Sequence, residues 1–178
     1  MVNFSRKLGL VENLFATLHS MGAMIYVNIA SIQGVISLDV LRSAMDLLQK
    51  RHPLLQVHLQ ESDDGVSFCA DGTLRIPLTA IERQHEQQWL EIAEGELLQK
   101  FSGEFDPLCR ITLLQAFEQS GQNELIVTFH HAIADGISAL HFVHELLSYY
   151  QQLAEGSPIS PIESLPLLPS LEQLLSRP

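Results

Sequence analysis

Between Glu124 and Gly136 the chain reads Glu-Leu-Ile-Val-Thr-Phe-His-His-Ala-Ile-Ala-Asp-Gly, and the adjacent His130 and His131 are its best candidates for chemistry. A neutral imidazole can take a proton from a hydroxyl, thiol or amine, because its ordinary pKa of about 6.5 lies near working pH. Residues 124–129 read as a strand, and successive side chains on a strand point to opposite faces. His130 and His131 therefore cannot both address one substrate, and one of them should be structural. Asp135 could orient an imidazole or could hold the loop by pairing with a cation; the structural role is favoured. Two other readings compete. A histidine pair at a strand end can simply be a satisfied polar part of the fold. Asp135, His141 and His144 also lie close together in sequence, but the ligand spacings of zinc sites are absent and no metal is expected. His141 and His144, three apart beside Leu140 and Leu147, read as a boundary face of a helix.

The elements that must position these residues follow from apolar periodicity. Val11, Leu14, Leu18 and Met21 recur at helical steps and predict a helix over 10–21. Ile25, Val27 and Ile29 then alternate as a half-buried strand that ends at Gly34. Ser37 can cap a second helix carrying Leu38, Leu41, Met45 and Leu48, which Pro53 stops. Leu55, Val57 and Leu59 alternate as a strand, and Asp63-Asp64-Gly65 turns it into a hairpin with Val66 and Phe68. Leu90, Ala93, Leu97 and Phe101 predict a third helix within 86–101. Strands follow over 111–117 and 125–129, joined through Gly121 and its polar neighbours. Ile137, Leu140, Val143, Leu147 and Tyr150 form a fourth helix, opening just after Asp135, a good cap. Between Gly156 and Leu171, four prolines (Pro158, Pro161, Pro166 and Pro169) exclude a long helix, and the closing Leu171-Glu172-Gln173-Leu174-Leu175 can form about one helical turn that docks elsewhere. The expected fold is α/β, a two-layer sandwich with a mixed β-sheet covered on one face by helices.

Composition removes several functions. A formal net charge of -11 with no basic cluster speaks against nucleic acid and anionic membranes. Cys69 and Cys109 are two, far apart and set in apolar stretches, so neither a disulfide framework nor a cysteine zinc site is expected. No secretory h-region opens the chain and no run is long enough to span a bilayer, so a soluble, cytoplasmic protein is expected. Phosphate-cradling glycine loops and a serine nucleophile elbow are absent from the sequence.

His130-His131-Ala-Ile-Ala-Asp135-Gly136 resembles the H-H-x-x-x-D-G signature of the condensation-domain superfamily at every fixed position. Arg51-His52-Pro53-Leu54-Leu55 is similar to that family's segment after its first long helix, and Phe105-Asp106-Pro107-Leu108-Cys109-Arg110 to the run before a core strand. The opening Arg6-Lys7-Leu8-Gly9-Leu-Val-Glu12 looks most like the polyketide-associated acyltransferases of the phthiocerol dimycocerosyl transferase type. The resemblance reaches from about Ser5 to about Tyr150. It implies a chloramphenicol-acetyltransferase-like half over residues 1–155, with 156–178 a Pro-rich linker or crossover toward a C-terminal half of the same enzyme. It implies acyl transfer from an acyl-CoA or an acyl-phosphopantetheine carrier protein to an alcohol or amine, without metal or other cofactor. His131 would be the general base, with His130 and Asp135 mainly structural and Gly136 permitting close approach to the reacting carbonyl. Gln56 departs from the basic residue frequent in relatives. A docking module that keeps the fold without turnover, and an amide-forming condensation domain of a peptide synthetase, are the rival expectations.

Overall fold

The structure, a computed structural model, describes residues 4–117 and 121–175. Residues 118–120, part of the expected connection around Gly121, fall outside them, as do residues 1–3 and 176–178. In chain order the elements are β1 (Ser5–Lys7), α1 (Leu10–Ser20), β2 (Ile25–Gln33), α2 (Leu38–Arg51), β3 (His58–Ser62), β4 (Gly65–Cys69) and β5 (Leu78–Glu82). There follow α3 (Gln88–Leu98), β6 (Cys109–Gln115), β7 (Gln122–His130), α4 (Gly136–Ala154) and α5 (Leu171–Leu175).

The main sheet has the order β2-β7-β6-β5. Its first two pairings are antiparallel, whereas β5 runs parallel to β6, so the sheet is mixed. α2 and α4 cover one face, where Leu41, Met45 and Leu48 meet Phe142, Val143 and Leu146 over Ile111, Leu113, Leu125, Val127 and Phe129. α3 lies across the other face, held there by Glu96, so helices flank both sides rather than one. This is a two-layer α/β arrangement with a third, more polar contact behind it.

Local sequence rules account for most boundaries. Ser37 Oγ accepts from the Val40 amide and caps α2, and Pro53 ends it. Instead of starting a strand at Leu55, the chain makes a 3₁₀ turn over Pro53–Gln56, because proline presets the helical φ of a first turn; β3 begins only at His58. β3 and β4 form the expected hairpin. They belong to a separate three-stranded sheet, order β1-β4-β3, whose edge strand β1 is too short to show a period. β5 is likewise invisible to periodicity: its five residues follow Pro77 and draw their pairing from distant β6.

α1 is the helix whose face differs most from expectation. Leu10 and Leu14 are 77% and 53% exposed, while Phe15 and His19 turn inward. The period is helical as read, but the packed stripe is rotated from the one that Val11, Leu14, Leu18 and Met21 define. Beyond α4, residues 157–170 contain no helix or strand. They run back along the domain: Leu165 N–H donates to Arg51 O at 2.8 Å, and Leu10 N–H donates to Glu172 Oε1 at 2.5 Å. A Cβ on Gly9 would collide with side-chain atoms of Ser170 and Glu172, so only glycine lets that segment seat against α1.

Candidate active site

β7 delivers the two histidines to the end of the main sheet. His130 closes the strand and is fully buried; Thr128 precedes it on the same face, and Phe129 faces the opposite, apolar core. Its Nδ1 accepts from the Ala132 N–H at 3.0 Å. A backbone N–H can only donate, so the ring carries its proton on Nε2. Burial, reinforced by the neighbouring His19 and His131, pushes the His130 pKa down to about 3, so this ring stays neutral. Ile133 N–H also donates back to His130 O at 3.2 Å, closing the turn that carries His131.

His131 is only partly buried and sits between Phe15 of α1, at 4.8 Å between ring centroids, and Tyr26 of β2, at 5.2 Å. Its N–H donates to Met24 O at 2.9 Å. Met24 itself holds φ 59, the single non-glycine residue with positive φ among those described, so backbone strain is concentrated where His131 is anchored. Nδ1 of His131 is buried without a hydrogen-bond partner among the described residues, and Nε2 is not among the buried, unpaired atoms. The two histidines are thus separated as strand alternation required, one inside and one at the surface.

Asp135 occupies the N-cap of α4. Its Oδ1 accepts from Ser138 N–H at 2.8 Å and Ser138 Oγ at 2.7 Å, and these hydrogen bonds hold its carboxyl below the usual range. Among the described residues it forms no salt bridge, though the nearby His131 adds to the lowering of its pKa; its hydrogen bonds cap α4. Gln56, at the position noted as a departure, donates to Lys50 O and stays outside the site. Tyr26 donates to Asp135 O at 2.7 Å, tying the loop to the edge strand β2, and burial raises its phenol pKa so that it stays protonated. A Cβ on Gly136 would meet nothing within 4 Å, so packing does not demand glycine there and the space beside it is open.

Sequence reasoning missed the residues that surround the pair. His19, 5% exposed on the last turn of α1, lies 4.3 Å from His130 between ring centroids, and Phe101 closes the group at 6.0 and 6.2 Å. A histidine in a helix stripe shared with Phe15 was the available signal. On the other side an apolar cavity of ≈ 370 Å³ opens beside the motif, lined by Phe129, Ile133, Ala134, Phe142 and Leu165–Leu168. The Arg51 and His52 side chains meet Glu145 of α4 at 2.7 and 2.6 Å near its rim. Among the described residues no group of three His, Cys, Asp or Glu side chains is placed to hold a metal, and no helix is long and apolar enough to cross a membrane.

These features define a class: an α/β domain with one fully buried and one partly buried histidine at the end of a central strand. Comparison with solved structures gives the same fold. The starter condensation domain of rhizomide synthetase RzmA superposes with a TM-score of 0.75 at 19% identity, covering 97% of this chain and 42% of that one. Polyketide synthase associated protein 5 from Mycobacterium tuberculosis superposes with a TM-score of 0.67 at 28% identity, over 96% of this chain and 39% of the other. The family model for the condensation domain matches residues 17–166, and the chain belongs to that family. Phthiocerol/phthiodiolone dimycocerosyl transferase from Mycobacterium tuberculosis (strain ATCC 25618 / H37Rv) is 30% identical over 173 residues, 97% of this chain and 39% of its own length. Nonribosomal peptide synthetase kk1B from Curvularia clavata is 26% identical over 139 residues, 76% of this chain and 1% of its own length. The chain therefore spans about two-fifths of the length of the transferases it matches.

Proposed function

We propose that this chain is the histidine-bearing, N-terminal part of an enzyme that transfers an acyl group from a thioester to an alcohol or amine, with His131 as general base. The observation that carries the reading is the division of labour in the pair. His130 is buried, neutral and bonded to the backbone, whereas His131 is only partly buried, is pinned by its own N–H and keeps Nδ1 inside, which leaves Nε2 as the nitrogen proposed to meet the acceptor. In the proposed step Nε2 takes the acceptor's proton as the acceptor oxygen or nitrogen bonds to the thioester carbonyl. The tetrahedral intermediate collapses with cleavage of the C–S bond, and the thiolate leaves with the proton that His131 returns. The donor is an acyl-CoA or an acyl-phosphopantetheine carrier protein, the open space beside Gly136 admits the carbonyl, and the apolar cavity at Ala134 and Phe142 suits an aliphatic acyl tail. No metal or other cofactor takes part in this scheme.

Several observations support a division near residue 155, followed by a crossover to a second half. α4 ends at Ala154, the segment after it has no regular structure until α5, and the chain spans 39% of the matched transferases. That same share supports a second reading, a docking module that keeps the fold without turnover. The test is acyl transfer from a simple thioester to alcohol and amine acceptors by the longest polypeptide containing this chain. His131→Ala should lower turnover by about 10²- to 10⁴-fold with the fold intact. Full activity in the folded variant would remove His131 from the mechanism, and no turnover with any acceptor would favour the docking module. Preference for amines over alcohols would mark an amide-forming domain. Soluble fractionation to the cytoplasm is expected.

A further inference from the structure

His19 stands outside the motif, yet its ring packs directly against it. It is buried at the end of α1, and its Nε2 accepts from the Phe101 N–H at 3.1 Å across the gap to the segment after α3, a closer approach than the 3.3 Å to Phe101 O. With Nε2 as acceptor, the neutral ring carries its proton on Nδ1. Desolvation also lowers the His19 pKa, so the ring adds no charge to the site. Its face meets the His130 ring at 4.3 Å and 52°. Arg110, stacked over Phe101 at 4.4 Å and ion-paired to Glu96 of α3, braces the group from behind.

The consequence runs through His130. That ring accepts the Ala132 N–H, the amide just beyond His131, while Met24 O accepts the amide of His131 itself. The backbone is thus held on both sides of His131. The Met24 hold is backbone to backbone. The Ala132 hold depends on a side chain that must keep one rotamer and one tautomer, and His19 and Phe101 are the rings that wall it in. Nε2 of His130 is buried without a hydrogen-bond partner, so no hydrogen bond at that atom fixes the orientation; packing must do so.

We infer that His19 is a positioning residue for the motif: its ring locks His130, and His130 in turn sets the turn that presents His131. The function of this lock rests on the proposed role of His131, but its existence does not, so the two are tested by different readouts. Two substitutions separate the properties of His19. His19→Asn keeps an acceptor for the Phe101 amide and removes the ring; His19→Phe keeps the ring and removes the acceptor.

Long-range proton–nitrogen NMR of the imidazoles in this chain reports the tautomer of His130 without any turnover. In the wild type His130 should show a single form protonated at Nε2. His19→Phe should leave that signature unchanged, and His19→Asn should replace it with a mixture of tautomers. In the longest polypeptide containing the chain, His19→Asn should lower kcat by about 10- to 100-fold with KM within about threefold, since small misplacement of a reacting group costs rate more than binding. His19→Phe should recover kcat to within about threefold of wild type. A wild-type His130 signature in His19→Asn overturns the inference. So does a greater loss in His19→Phe than in His19→Asn, which would make the Phe101 hydrogen bond the point of the residue. Failure of His19→Asn to fold, read by circular dichroism, overturns it too, because His19 would then serve the fold as a whole. If His131→Ala keeps full turnover while His19→Asn scrambles His130, the general-base reading falls and the lock stands.

Discussion

β7 is buried on both faces, and the two faces are built differently. Toward α2 and α4 it presents Leu125, Val127 and Phe129 to a continuous apolar core. Toward α1 and α3 it presents Glu124, Ile126, Thr128 and His130, and three of these four are polar although all are almost wholly buried. On the first face the hydrophobic effect suffices, because apolar side chains need only volume complementarity. On the second, side-chain hydrogen bonds and ion pairs add to packing, although Nε2 of His130 has no hydrogen-bond partner. Glu96 of α3 receives the hydroxyls of Thr112 and Thr128 and the Arg110 guanidinium, and His130 receives the Ala132 amide. The dry face holds the sheet to its helices, and the polar face fixes the positions of side chains at the strand end.

The largest break expected in this contrast is at Glu96. Its side chain and that of Arg110 are 11% and 12% exposed, so Glu96→Ala leaves a buried guanidinium unpaired and should cost about 3–5 kcal/mol in urea unfolding. Combining it with Arg110→Met should recover much of that loss, because the penalty lies in the orphaned charge. A double variant as unstable as the single one would mean that the pair itself, not its breakage, stabilises the face.

A smaller effect should come from pH. His130 and His19 have folded pKa values below the ordinary 6.5 because burial disfavours their charged forms. Below pH 6.5 the unfolded chain binds more protons than the folded one, so stability falls as pH falls. The loss begins near 6.5 and continues toward about 3 for His130, at up to about 1.4 kcal/mol per pH unit. Urea midpoints between pH 7 and 4 should show the slope, and His130→Phe should flatten it. An unchanged slope in that variant would place the acid sensitivity elsewhere.

The smallest effect concerns the cap beyond the strand. Asp135→Ala removes the acceptor for Ser138 N–H and should cost about 1 kcal/mol, with faster amide exchange confined to the first turn of α4. Exchange rising equally along all of α4 would argue that Asp135 holds more than its cap.

The apolar face of β7 was legible in the sequence because strand alternation and helix period are local properties. Leu41, Met45 and Leu48 of α2 emerged in the core as their spacing required, and so did Val143 of α4, whereas Ile137 and Leu140 of the same expected stripe are exposed. The opposed directions of His130 and His131 followed from the same period of two. α1 shows where such reading stops. Its helical period was correct, but the stripe carrying Phe15 and His19 packs inward and leaves Leu10 and Leu14 largely exposed. A helix declares its period by itself; which stripe becomes the inner one depends on the neighbour it meets. β5 was hidden for a related reason, since a five-residue strand takes its identity from a parallel partner.

By itself, then, the sequence determined the motif, the alternation that sends its two histidines in opposite directions, the cap at Asp135 and the elements around them, because each is written in residues a few positions apart. Only the tertiary structure decided that Met24 and Tyr26 from β2 and the residue before it, Phe15 and His19 from α1, and Phe101 after α3 would converge on that motif. The widest of their contacts join residues more than a hundred positions apart, and such pairings are set by how the layers pack, which no local period encodes.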